Sequence, residues 1–122
     1  AGGQAAGIKD IDVLEATDYY RNRQPNANAG TRMLFSHAAT NIAWDAFAFA
    51  ETLLTQPMMV VIGDKPGGFG AYRDGMEIHG RAASKDKHLV VAEGWSHYDL
   101  YDQPEPVAFA LSKVVPFFKE KL

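Results

Sequence analysis

The residues best suited to chemistry lie in Glu93-Gly94-Trp95-Ser96-His97-Tyr98-Asp99-Leu100-Tyr101-Asp102, directly after the apolar run His88-Leu89-Val90-Val91-Ala92. Sites in open α/β sheets form beyond the carboxyl ends of the strands. His97, five residues past Ala92, falls in that crevice, and Gly94 allows the sharp turn that brings it there. An imidazole so placed can take a proton from a nucleophile and return it to a leaving group. The same position also suits a loop histidine that caps the following helix or packs against Trp95 and Tyr98.

A second segment, Ile62-Gly63-Asp64-Lys65-Pro66-Gly67-Gly68-Phe69-Gly70, follows another apolar run and opens on the same edge. A carboxylate here would orient an imidazole and stabilise its charged form. Asp64 is the first candidate because it is nearest the strand end, and Asp74 is the second. Equally, Asp64 fits a turn hydrogen bond and a solvent pairing with Lys65. The glycines do not form a phosphate loop, because no Gly-Lys-Ser/Thr follows them.

Other candidates carry less. His37, His79 and His88 have no second histidine or carboxylate at metal-ligand spacing, so surface or packing roles are expected, with no metal and no cofactor. Trp44, Phe47 and Phe49 fit core positions, and Arg21 and Arg23 read as solvated loop charges. The only serines are Ser36, Ser84, Ser96 and Ser112, and no Gly-x-Ser-x-Gly or oxyanion-hole motif is present. A base without a nucleophile cannot run acyl transfer by the usual route.

The positioning elements follow from periodicity. Residues 10–20 form a short helical candidate, followed by a polar loop over 21–30. Thr40 or Asn41 can cap a helix in which Ile42, Ala46, Phe49, Ala50 and Leu53 recur at helical spacing, with Trp44, Phe47 and Leu54 widening the stripe. So broad a stripe predicts burial on more than one face, ending at Pro57. Residues 58–62 and 88–92 are continuous apolar runs of strand length, as in parallel sheets covered on both sides. Between them residues 73–84 read as a helix weakened by Gly75 and Gly80, with Met76 and Ile78 partly inward. Residues 93–103 read as a loop. A terminal helix over 105–122 places Val107, Leu111, Val114, Phe118 and Leu122 on one side, with a kink or restart at Pro116. This is a βαβ unit with one more helix, its strands parallel. Two parallel strands alone leave an open edge and bare apolar surface, which argues for a missing piece or an obligate partner.

The chain has 122 residues, 47% of them hydrophobic and 22% charged, as in an ordinary folded domain. A net charge of −3 recommends no nucleic acid as a partner. No apolar run reaches a membrane-spanning length. The first seven residues read as a flexible tail rather than a signal peptide, and a cytoplasmic location is the default. The absence of cysteine excludes disulfides and thiol catalysis.

Residues 56–122 resemble the C-terminal end of α/β-hydrolases of the dienelactone-hydrolase-like branch. The matching residues are Pro57-Met58-Met59-Val60-Val61-Ile62-Gly63-Asp64-Lys65-Pro66-Gly67, then Gly94-Trp95-Ser96-His97-Tyr98-Asp99-Leu100-Tyr101-Asp102, and the terminal Phe117-Phe118. Residues 12–54, with Asp18-Tyr19-Tyr20 and Trp44-Asp45-Ala46-Phe47, look like the cap-like insertion of that family. With residues 1–9 read as tail, the resemblance implies 10–55 as a helical cap-like segment and 56–122 as the closing β-α-β-α part of the hydrolase domain. It also implies His97 as the catalytic base and a small acyl substrate, an ester or lactone. Relatives place an aspartate where this chain has Gly67, so Asp64 stands as the substitute. The half bearing the nucleophile is not in the chain. The expected partner is therefore that N-terminal half or a second chain. The alternative is a non-catalytic module that forms a homo-oligomer or binds a partner through its sheet edge. A third reading is a small-molecule binder using Trp95, Tyr98 and Phe69 around a crevice.

Overall fold

Two apolar runs pair as the chain's sheet in a computed structural model that describes residues 7–24 and 34–122. The expected tail over 1–9 lies mostly outside the described residues, as does the expected loop from residue 25 onward. In chain order the helices and strands are α1 (Ile11–Asp18), α2 (Ala38–Ala43), α3 (Ala50–Leu53), β1 (Met58–Gly63), α4 (Ala71–Arg81), β2 (Lys87–Ala92), α5 (Asp99–Asp102) and α6 (Pro104–Lys121). The architecture is mixed α/β. β1 and β2 run parallel, with Met58 opposite Lys87 and Gly63 opposite Ala92. Their far ends therefore finish level, which brings the two following loops to one edge.

The strands are half-buried along most of their length and fully buried only at Ile62, Gly63 and Ala92. A parallel pair covered on both faces would be buried throughout. The core is correspondingly small: Ala50, Ile62, Ala82, Ala92, Tyr98 and Phe117 are its buried apolar residues among those described.

The helices correct several expectations. Asp10 caps α1 by accepting from Val13 N–H at 3.2 Å. The chain then continues as a π-helical turn, Tyr19–Arg23, closed by Gln24 N–H donating to Tyr19 C=O at 2.8 Å. Arg23 is no solvated loop charge: it bridges Asp18 and Asp102, and its guanidinium lies 5.3 Å from the centre of the Tyr19 ring.

The single broad helix expected after Thr40 is instead two short ones. Asp45 Oδ1 accepts from Phe47 N–H at 2.9 Å in a turn, and Phe49 takes a left-handed φ of 62°. Most of the apolar stripe that should have been buried faces out, with Ile42 86%, Trp44 74% and Phe49 69% exposed. Trp44 and Phe49 are thus not core residues. Only Ala50 of the stripe is buried; Ala83 N–H donates to its C=O at 3.0 Å, and the Arg81 guanidinium lies 5.9 Å from the centre of the Phe47 ring.

α6 starts with Pro104 in its first turn and runs unbroken through Pro116, so no restart occurs. Its inward face carries Pro106 and Phe117, with Phe117 edge-on to His88 at 5.6 Å, while Leu111, Phe118 and Leu122 are exposed. The buried face is set by contact with β2 rather than by the most apolar side of the helix. Met76 on α4 is likewise exposed.

Candidate functional site

Gly63 ends β1 against the backbone of the loop that leaves β2. Asp64 N–H donates to Trp95 C=O at 3.0 Å, and a Cβ on Gly63 would stand 2.3 Å from that same oxygen. Only a residue without a side chain permits this approach. Gly94, at φ 79°, makes the turn that starts the loop. Ser96 and Asp99 then fasten it reciprocally. Ser96 N–H donates to Asp99 Oδ2 at 2.9 Å, and Asp99 N–H donates to Ser96 Oγ at 3.1 Å. This reciprocal pair closes the turn over residues 96–99 that leads into α5, within the stretch expected to be loop, and His97 is held between its two members.

The result is a half-buried imidazole over the end of β1. His97 lines a cavity of about 200 Å³ together with Val61, Ile62, Gly63, Lys65, Ala71 and Tyr72. The cavity lies beyond the carboxyl end of a parallel strand, at the place where such sheets hold ligands. Trp95 lines a separate cavity with Val91, Ala92, Glu93 and Phe109. Neither Tyr98 nor Phe69 lines that second cavity, so the three aromatic residues of the small-molecule reading are not gathered around one crevice.

The imidazole is set by aromatic residues. His97 Nε2 lies 3.0 Å from Tyr101 Oη, and the ring stands edge-on to Tyr98 at 5.2 Å and to Tyr101 at 5.0 Å. Tyr19, from the π-helical turn, packs edge-on against Tyr101 at 5.1 Å, and Tyr20 packs against Tyr98 at 6.4 Å. Tyr98 is only 5% exposed. Its burial, then the neighbouring Tyr101 and Tyr20, then the negative charges of Asp12 and Glu15, push its hydroxyl up to about 12. Tyr101 is raised in the same direction, chiefly by burial. Both phenols therefore stay protonated and neutral beside His97.

The carboxylates fall elsewhere. Asp64 is not among the residues that line the cavity, and its N–H is held by Trp95 C=O. Asp74 is engaged by Arg73, with Arg73 Nη2 2.8 Å and Nε 2.9 Å from its Oδ1. Among the described residues no hydrogen bond or ion pair joins either of them to His97. His88 pairs with Asp86 at 2.8 Å at the start of β2, His79 sits in the last turn of α4, and His37 precedes α2. No group of three or more His, Cys, Asp or Glu suited to a metal ion occurs among the described residues. Nor is any helix among them long and apolar enough to cross a membrane.

Sequence reasoning missed the tyrosine cluster. Tyr98 and Tyr101 are three apart, one turn of a helix, as soon as Asp99–Asp102 is recognised as helical. The Ser96-x-x-Asp99 spacing is the signal that marks this helix. Nothing local announces that Tyr19 and Tyr20 join it from the far end of the chain.

No family model matches this sequence. It is similar to the uncharacterized protein YcjY of Escherichia coli strain K12, with 42% identity over 81 residues. That match takes in 66% of this chain and 26% of the relative, so the chain spans about a quarter of the protein it matches.

Proposed function

We propose that this chain supplies the base-bearing part of a serine-dependent α/β-hydrolase acting on an ester, lactone or similar acyl compound. The serine nucleophile is carried outside this chain. The observation supporting this reading is the placement of His97 over the end of a parallel strand, lining a cavity beside the loop that follows β1. In the reaction, the imidazole takes the serine hydroxyl proton as the oxygen bonds to the substrate carbonyl carbon. The same proton then goes to the leaving alcohol oxygen as the acyl bond breaks. Water, deprotonated by the same imidazole, releases the acid and restores the serine.

Two further observations agree. The cavity holds about 200 Å³, below the roughly 300–1,000 Å³ of a complete ligand pocket, as expected if one wall lies outside the chain. The exposed stripe of Phe35, Ile42, Trp44 and Phe49 beside a two-stranded sheet is surface that a larger domain would bury. The similar protein extends well past the matched quarter, leaving room there for such a half.

That same stripe favours a second reading, a non-catalytic module that dimerises or binds a partner through it. A fluorophosphonate probe separates the two. The natural protein bearing this chain should be labelled on a serine, and the mass of the labelled polypeptide identifies its carrier. A stable, unlabelled homodimer of the chain would overturn the enzyme reading in favour of the second.

A further inference from the structure

We propose that residues 10–23 clasp the His97 cavity from outside, with Asp12 and Arg23 as positioning residues for its two walls. The bearing of the clasp on catalysis rests on the reading of His97 as the base. It goes beyond that reading by naming what fixes one wall against the other.

The cavity is walled by two stretches of chain. Lys65, Ala71 and Tyr72 come from the stretch after β1, and His97 from the loop after β2. At their roots the two are joined, by Asp64 N–H donating to Trp95 C=O at 3.0 Å. Further out, over residues 65–72 and 96–102, no hydrogen bond or ion pair among the described residues joins them. Each is held instead by the same N-terminal segment.

At one end of that segment, Asp10 and Asp12 accept from Gly68 N–H and Phe69 N–H, each at 2.8 Å. These two amides lie in sequence between Lys65 and Ala71, both of which line the cavity. At the other end, Arg23 pairs with Asp102, the last residue of α5. Tyr19 packs edge-on against Tyr101 at 5.1 Å, and Tyr20 against Tyr98 at 6.4 Å. Tyr98 follows His97 directly, and Tyr101 Oη lies 3.0 Å from His97 Nε2. α1 runs into the π-helical turn without a break, so both grips belong to one body. None of residues 10–23 is in the lining, so the segment acts through the walls it holds.

Both grips are sheltered. Asp12 is 1% exposed, and the side chains of Arg23 and Asp102 are 24% and 22% exposed. Neither is the fully solvated kind of contact that contributes little. A wall anchored only at its root can pivot there. Two anchors on one continuous helical segment remove the pivot from both walls together, so loosening one grip should reach the wall held by the other.

Hydrogen exchange of backbone amides, resolved by residue in the natural protein that bears this chain, tests the clasp without any turnover. Arg23→Met keeps an unbranched apolar stem and removes the charge. Arg23 bonds to neither Gly68 nor Phe69, yet its loss should speed exchange of both amides about tenfold, the local effect of losing one charged hydrogen bond. Arg23→Lys keeps a cation opposite Asp102 and should restore most of that protection. Asp12→Ala should in turn speed exchange at Tyr101 N–H and Gln103 N–H, which bond to Tyr98 C=O and Asp99 C=O. The amides of β1 and β2 should change much less in every variant. If Asp12→Ala fails to fold, the two Arg23 variants carry the test, since that pair is only partly buried. Exchange raised only beside each substitution, or raised equally in the strands, or Arg23→Lys behaving as Arg23→Met, would overturn the clasp. No serine label enters this experiment, so its failure is distinct from a missing label, which would count against the hydrolase reading.

Discussion

The carboxylate of Asp12 occupies the space that a side chain on Gly67 would need. A Cβ built on Gly67 would lie 2.2 Å from Asp12 Cγ, and Phe69 N–H donates to Asp12 Oδ2 at 2.8 Å. Asp12 is 1% exposed, and Asp10 repeats the arrangement by accepting from Gly68 N–H at 2.8 Å. Two aspartates at the start of α1 thus hold the loop that follows β1, and that loop needs glycine to receive them. Gly67→Ala should destabilise the chain by about 1–3 kcal/mol through overpacking. Asp12→Ala should cost a similar amount, roughly 1–3 kcal/mol, by stranding a buried amide. The two losses should be strongly non-additive, the alanine at 67 being tolerated once Asp12 is gone. Denaturant midpoints of the singles and the double check this, and simple additivity would contradict it.

Gly63 is the corresponding requirement on the other side of the site. Its missing side chain faces Trp95 C=O at 2.3 Å and the Ser96 backbone at 2.9 Å, neither of which can swing aside as a flexible side chain would. Gly63→Ala should cost about 3 kcal/mol, the upper end of overpacking effects, and displace the imidazole loop. Denaturation together with the chemical shifts of His97 reads both consequences.

Acid should loosen the tail of α6 before the sheet. Lys121 Nζ and His88 Nε2 each lie 2.8 Å from Asp86, and these hydrogen bonds, that of Lys121 foremost, hold its carboxyl below the ordinary 3.8. A depressed folded value means the stabilisation is present above 3.8 and is lost as the pH falls through the lower value. Lys121 is raised above 10.5, chiefly by the same hydrogen bond, so its share persists below that pH and fades above it. The stability difference between the native chain and Asp86→Asn should be flat at neutral pH and vanish in strong acid. A difference independent of pH would contradict this.

Alkali should act through the tyrosine cluster. Tyr98 moves from 10.0 to about 12 on folding, so its contribution is complete below 10.0 and is lost as the pH rises through about 12. A phenolate absorbance titration should show a late-ionising component that Tyr98→Phe removes. Its early ionisation in the folded chain would contradict the buried placement.

How much of this was legible depended on whether an element's partners are in the chain. β1 and β2 read correctly because continuous apolar runs bounded by Pro57 and by loop glycines have one economical solution, a parallel pair with its loops at one end. The position of His97 beside a cavity follows from its distance past β2, since a fixed number of residues after a strand determines where a loop side chain can reach. Residues 34–54 were not legible in this way. Their apolar stripe demands a cover, and without one Asp45 and the strained Phe49 break the helix into two. On α6 the periodicity was right but the docked face was not, because Phe117 faces His88 and Leu111 faces outward. Asp12 and the Tyr19–Tyr20 pair were invisible because their partners are distant in sequence, and local spacing carries no information about them.

Turnover of a simple aryl acetate by the natural protein that bears this chain, with and without His97→Ala, tests the role of His97 most directly. The substitution should lower kcat by about 10²–10⁴ while leaving the unfolding midpoint nearly unchanged, as for removal of a general base. Equal turnover by the folded His97→Ala protein would contradict it.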